Sequence, residues 1–380
     1  MLIKSFKARK IKDSRGEETI EVSVNGCKAS SPSGKSKGKY ETPSYYKSLE
    51  WNISAINKLE IPFSIKSFED LSKIEKLIEK KFKNKDAKKF GANALFALES
   101  AILKSIAKSE KKELWQIINP KVRRLKIPIP IGNVVGGGVH SYSENKPVFQ
   151  EFLLIPKGKG IRENVNIMQL IHKKLKKILK GEKLNDEGAW EASSDEEKIL
   201  EKLKKFKNKI NIGVDIAAST FYRKKGYEYN DKTLSPDEQI DYINEIIKKY
   251  GLLYIEDPLQ EEDFSGFSKI NKSSQHLIIG DDLTVTHIER IKKALKFRAI
   301  NALIIKPNQN GSLMELKKIF DFCRKNRIKT IISHRSGETM DDALADYAVG
   351  FQADFIKCGI ATKWRFVKLK RLIDIEKRLI

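Results

Sequence analysis

Six short apolar runs in the C-terminal two-thirds of the chain each close on a side chain able to do ionic or acid–base chemistry. They end in Asp215, Glu256, Asp281, Lys306, His334 and Lys357, separated by 41, 25, 25, 28 and 23 positions. The first three are hard oxygen ligands with no His or Cys beside them, which suits Mg²⁺, a cation that takes a few carboxylates and leaves its other positions to water and substrate. A single Asp beyond a strand is more often a helix cap; three in consecutive register favour a metal. The following ends reverse sign: Lys306, then His334-Arg335-Ser336 in TIISHRSGETMDD, then Lys357. Carboxylates on one wall and cations on the other fit a polyanionic substrate, and arginine can clamp a phosphate through two parallel hydrogen bonds. A lysine flanked by cations and a metal is pushed toward a lower pKa and service as a general base. Enzymes remove about 8–23 kcal/mol from their barriers, more than one base contributes, so metal and lysine charge must supply much of the rest. The residues therefore predict metal-assisted proton abstraction α to a carboxylate.

Something must bring these ends together. The runs VFQEFLLIP, INIGVD, LLYIED, HLIIGDD, NALIIKPNQNG, TIISHRSG and DFIKCG alternate with helix-like segments at the spacing of βα units. Such alternation predicts a parallel sheet, and a closed barrel puts every C-terminal strand end around one mouth. An open doubly wound sheet is the alternative, but it needs no ring of functional residues from so many consecutive strands, and no glycine-rich nucleotide-binding loop accompanies it.

At 380 residues the chain exceeds the roughly 250–300 at which a single core stops growing, so a smaller companion domain is expected. The prolines and Gly136-Gly137-Gly138 of LKIPIPIGNVVGGGVHS mark its boundary, giving a 1–126 α+β domain and a 127–380 barrel. Within the smaller domain, Ile20, Val22 and Val24 alternate with polar residues ahead of Asn25-Gly26, which predicts a β-hairpin as the first element. The polar stretch Ser30 to Ser44 reads as a mobile loop. Leu95, Leu98, Ile102 and Ile106 predict a helix from Gly91 to Ser109.

The formal net charge of +24 raises the question of nucleic-acid or anionic partners. The densest basic runs, Lys80 to Lys89 and His172 to Lys183, read as solvated helix faces, the second with Leu175, Ile178 and Leu179 at helical spacing. No nucleic-acid-binding motif accompanies them. Cys27, Cys323 and Cys358 are odd in number and far apart, against a disulfide framework or a zinc site. The basic start lacks an apolar leader and no run approaches the ~18 apolar residues of a membrane span, so a soluble cytoplasmic protein is expected.

Along nearly its whole length the chain resembles the enolase family, most specifically through SHRSGETMDDALADYAVG, with IEDPLQEEDF, GDDLTVT, IIKPNQNGS, VDIAAST, QEFLLIPKG, KIKDSRGEETIEVSV and PSGKSKG in support. The resemblance implies a small N-terminal α+β domain before an eight-stranded α/β barrel of TIM type whose first units are irregular. It implies reversible Mg²⁺-dependent dehydration of 2-phosphoglycerate to phosphoenolpyruvate in glycolysis and gluconeogenesis, by a dimer or higher homo-oligomer. Asp215, Glu256 and Asp281 would hold the first Mg²⁺, and Ser36 would help bind a second. Lys306 would take the C2 proton, and Glu187, with Glu151 beside it, would protonate the C3 hydroxyl. Lys357 would neutralise the substrate carboxylate, Arg335 and Ser336 would grip the phosphate, and His140 and His334 would line the site. The chain departs from the family pattern at Lys37, Ser141, Ala189, Met340 and Cys358. Ala189, where a second glycine is usual, is expected to restrict a backbone that needs positive φ. The alternative is a catalytically impaired enolase-fold protein that binds RNA or anionic surfaces through its basic face.

Overall fold

In the computed structural model, residues 1–379 are described apart from 36, 37, 123, 124, 142, 144, 180–182 and 271–274. The N-terminal part folds as β1 (Phe6–Lys12), β2 (Glu18–Val24), β3 (Cys27–Ser30), α1 (Leu49–Asn57), α2 (Leu71–Phe82), α3 (Ala92–Glu110) and α4 (Leu114–Ile118). The expected hairpin is β2–β3, turning on Asn25 and Gly26 at φ 48° and 79°, both left-handed as a tight two-residue turn requires. It is not the first element. β1 pairs antiparallel with β2 to make a three-stranded meander, and its sequence FKARKIK, with only Ala8 fully buried, conceals an edge strand behind basic residues. Ile20, Val22 and Val24 are wholly buried, and α3 is buried almost all round, as a helix between two layers must be.

The second part runs β4 (Ile129–Gly136), β5 (Glu151–Pro156), α5 (Ile161–Leu179), β6 (Trp190–Glu191), α6 (Glu196–Lys204), β7 (Ile210–Asp215), the short β8 (Tyr222–Arg223), β9 (Gly226–Glu228) and β10 (Thr233–Leu234), and α7 (Pro236–Tyr250). It continues with β11 (Leu252–Glu256), α8 (Phe264–Ile270), β12 (Leu277–Gly280), α9 (Ile288–Lys296), β13 (Ala302–Ile305), α10 (Pro307–Asn310), α11 (Leu313–Lys325), β14 (Lys329–Ser333), α12 (Ala343–Gly350), β15 (Phe355–Lys357) and α13 (Lys363–Lys377). Strands β4, β5, β7, β11, β12, β13, β14 and β15 follow one another around a sheet that closes through a β15–β4 pairing, so the barrel is the correct form. The long step from Asp215 to Glu256 is filled by the β8–β10 sheet ahead of α7.

One strand breaks the expected parallel sheet. β5 is antiparallel to both β4 and β7, because among its described residues the connection from β4 carries no α-helix to return the chain to its starting end. This reversal delivers the first residue of β5, Glu151, to the rim where the other strands deliver their last; Glu151 stands opposite Asp215, itself opposite Glu256.

Side chains alternate across the barrel wall. Ile131, Leu153, Ile155, Tyr254, Ile279, Ala302, Ile304 and Ile331 form one apolar cluster, and their neighbours Leu154, Ile212, Val214, Ile255, Ile278, Leu303, Ile305 and Ile332 join the larger core shared with the helices. In α5, Leu175 is buried but Ile178 stands exposed among the lysines. All three cysteines are free thiols. Among the described residues, no helix is long and apolar enough to cross a membrane.

Candidate active site

A cavity of about 240 Å³ opens at the C-terminal mouth of the barrel beneath Gly34, Lys35, Gly38 and Lys39 of the N-terminal loop. His140, Glu151, Glu187, Asp215, Asp281, Lys306, His334, Arg335, Ser336 and Lys357 all line it. Glu256 lies below, fully buried against the Lys357 ammonium. Ser36 falls outside the described residues.

The floor is a lattice of carboxylates and lysines. Lys357 Nζ lies 3.0 Å from Asp215 Oδ2, 2.8 Å from Glu256 Oε2 and 3.1 Å from Glu151 Oε2. Lys306 Nζ donates to Asp281 Oδ2. Although burial opposes it, Asp215, Glu151 and Glu256 hold Lys357 well above the ordinary lysine value, and Asp281 likewise raises Lys306 against burial. Arg335 pulls Lys306 the other way, but the contact with Asp281 outweighs it. Burial and Asp215 push Glu256 well up.

Among the described residues, the buried floor oxygens Glu256 Oε1 and Asp281 Oδ1 have no hydrogen-bond partner. Uncompensated buried carboxylate oxygens are costly, and hard anionic donors turned into a polar cavity suit a divalent cation. Asp257, Asp281 and Asp282 offer a further set of ligand atoms within 4.8 Å of one another. Burial and Asp281 raise Asp282 to about 7. The acidic pairs in IEDP and GDD hinted at Asp257 and Asp282, which strand-end spacing alone passed over.

A second side of the cavity is built from loops. Asn185 Oδ1 accepts from the backbone N–H of Glu187 and Ala189, each at 3.0 Å, and fixes a turn whose left-handed position is Gly188 at φ 83°. Ala189 keeps an ordinary negative φ, so the restriction expected there does not arise. Asn133 Nδ2 donates to Glu187 Oε2 at 3.3 Å, and His334 Nε2 lies 3.8 Å from the same oxygen. His140 Nδ1 lies 3.5 Å from Glu151 Oε1. Burial lowers His334 to about 3, leaving it neutral at ordinary pH. Burial opposes ionisation of Glu187, but His334 foremost, then His140 and Arg365, with a hydrogen bond shared with Glu151, pull it well below the usual carboxylate range; a neutral His334 weakens that pull. Glu151 moves the other way, raised by burial and by the charge of Glu187.

Arg335 donates from both terminal nitrogens to the Glu41 carboxylate at 2.9 and 3.1 Å, and to Asn308 Oδ1 at 3.1 Å. Ser336 Oγ accepts from the Lys35 N–H at 2.7 Å, and Ser33 exchanges two backbone hydrogen bonds with Gly337. Gly337 is required there, since a Cβ would fall 1.9 Å from Asp13 Oδ2. Glu41 and Arg365 had no local sequence signal, because each acts on a partner far away in the chain.

The chain matches the enolase N-terminal domain over residues 3–118 and the enolase C-terminal TIM barrel domain over residues 124–380. It is 36% identical to the enolase of Archaeoglobus fulgidus across 99% of this chain and 98% of that one. With the enolase of Picrophilus torridus it shares 35% across 100% and 99% of the two chains, and with that of Sulfurisphaera tokodaii 36% across 98% and 95%. Whole-length similarity at this level, in a chain whose barrel mouth gathers the carboxylates, lysines and His-Arg-Ser turn described above, shows that it belongs to the enolase family of lyases.

Proposed function

We propose that this protein catalyses the reversible dehydration of 2-phosphoglycerate to phosphoenolpyruvate in glycolysis and gluconeogenesis, with residues 1–126 capping a catalytic barrel formed by 127–380. The observation that carries this reading is one cavity holding a lysine base candidate, a carboxyl pair with divergent proton affinities, and an arginine beside a carboxylate floor with orphaned oxygens. Lys306 Nζ takes the C2 proton. The Glu151–Glu187 pair holds the proton that Glu187 passes to the departing C3 hydroxyl, which leaves as water. Lys357 faces the substrate carboxylate, while Arg335 and Ser336 hold the phosphate and His140 and His334 complete the lining. Asp215, Glu256 and Asp281 would bind Mg²⁺, and Ser36 a second ion. The chemistry so supplied is charge neutralisation at the substrate carboxylate as the C2 proton departs. The protein would act in the cytoplasm as a dimer or larger homo-oligomer.

Purified protein given 2-phosphoglycerate and Mg²⁺ should produce the ultraviolet absorbance of phosphoenolpyruvate, and chelation should stop it. A protein that binds both yet stays silent would sink the reading. Steeply salt-dependent RNA binding unchanged by Lys306→Ala would then favour a non-catalytic role for the basic surface.

A further inference from the structure

We propose that Arg365 is a positioning residue that holds His334 as the neutral imidazole with its proton on Nε2, turned toward Glu187. Arg365 stands in the first turn of α13 and is wholly buried. Its Nε donates to His334 Nδ1 at 3.0 Å, Nη1 to Thr362 Oγ1 at 3.2 Å, and Nη2 to the carbonyls of Ser336 and Arg335 at 2.8 and 3.3 Å. A guanidinium can only donate, so Nδ1 must present its lone pair, and the proton of a neutral ring then sits on Nε2.

That proton faces Glu187 Oε2 across 3.8 Å, too far for a direct hydrogen bond and wide enough for a substrate oxygen to touch both groups. The tautomer thus decides whether the ring donates to, or competes for, the proton that Glu187 handles. The packing is specific. A Cβ on Gly359 would fall 2.4 Å from Arg365 Cδ and 2.7 Å from the Glu187 carbonyl oxygen, so glycine there lets the arginine stem run beside the Glu187 loop.

The electrostatic pull of Arg365 on Glu187 acts without direct contact. Among the described residues the arginine makes no ion pair with a carboxylate, and a buried cation without one is costly. What it gains is a fixed imidazole and a braced His-Arg-Ser turn.

The catalytic consequence rests on the dehydratase reading; the tautomer does not, and the test separates them. In full-length protein labelled with ¹⁵N-histidine, five rings report, and the His334 resonances are those lost in His334→Gln. The expected spectrum is the neutral Nε2–H form from about pH 8 down to about pH 5. Arg365→Met should give mixed tautomers or imidazolium and lower kcat by roughly 10–100-fold, the range known for outer partners of metal-bound histidines. Arg365→Lys, which keeps a donor, should recover part of both. A wild-type ring found as Nδ1–H or imidazolium overturns the proposal, as does an unchanged Arg365→Met spectrum. Should Arg365→Met fail to fold, the wild-type and Arg365→Lys spectra still decide. The expected tautomer in a protein without turnover would sink the dehydratase reading alone.

Discussion

The floor of the cavity and its loop-built side solve the burial of charge in different ways. On the floor, each acid from a strand end is matched by a lysine from another: Asp215, Glu151 and Glu256 share Lys357, and Asp281 holds Lys306. The sheet register that aligns the strands also aligns the charges, so the pairing follows from topology. On the other side, Glu187, His334 and Arg335 are held by partners brought from elsewhere: Glu41 from the N-terminal loop, Asn133 from β4 and Arg365 from the start of α13. The floor is a network that a cation bound there would have to loosen; the loop side is braced in advance. Loss of a floor residue should therefore remove chemistry, and loss of a loop-side residue should misplace substrate or shift proton affinities.

The largest effect is expected for Lys306→Ala. A positioned base contributes about 10²–10⁴-fold, and turnover measured by phosphoenolpyruvate absorbance should fall by at least that order. Substrate affinity should hold near the wild-type value, since in the proposed mechanism the lost group serves the proton transfer. If affinity collapses while residual turnover stays high, the floor and the loop side have been assigned the wrong way round.

Arg335→Ala should show the reverse emphasis. A hydrogen bond to a charged group is worth about 1.5–3 kcal/mol, so 2-phosphoglycerate binding should weaken by roughly 10–150-fold, with a smaller change in Mg²⁺ affinity read by calorimetry. Equal losses of both would dissolve the distinction between the two sides.

His334 gives the comparison a pH dependence. Its folded value of about 3 lies below the ordinary 6.5, so under acid the unfolded chain binds a proton that the folded chain refuses. The contribution is complete above about pH 6.5 and drains as pH falls toward 3, which amounts to about 2 kcal/mol between pH 6.5 and 5. His334→Gln should flatten that part of the acid limb in urea unfolding. An identical limb in the variant would mean that the buried ring is not the proton-refusing group.

The two sides also differ in how far the sequence disclosed them. Asp215, Glu256, Asp281, Lys306 and Lys357 could be read directly, because βα spacing repeats and each strand closes on a charged residue. Glu151 escaped that logic: β5 runs antiparallel, so its chemical end is its first residue, and only family resemblance pointed to it. Glu187 stands in a turn that looks like surface, yet it is buried; Asn185 two residues earlier signals the turn but not that the turn faces inward. Arg335 stood out as a cation just past a strand end, but its partner Glu41 is 294 positions away, a distance no periodicity spans. Edge strand β1 was lost because basic residues mask its alternation.

The smallest effect concerns Ala189, the departure that looked most threatening to the Glu187 loop. The turn spends its left-handed conformation on Gly188, where an added Cβ would also meet Thr362 Cγ2 at 2.9 Å. Ala189, wholly buried and in an ordinary conformation, donates its N–H to Asn185 and restricts only the unfolded chain. Ala189→Gly should therefore lower stability by about 0.4–1 kcal/mol through unfolded-state entropy, with kcat changed by no more than about twofold. Gly188→Ala should cost more, since it forces a side chain into positive φ and into Thr362. A large gain in kcat for Ala189→Gly would contradict this, showing that the loop side needs freedom where the structure shows it braced, and would move Glu187 from the prearranged side of the cavity to a mobile one.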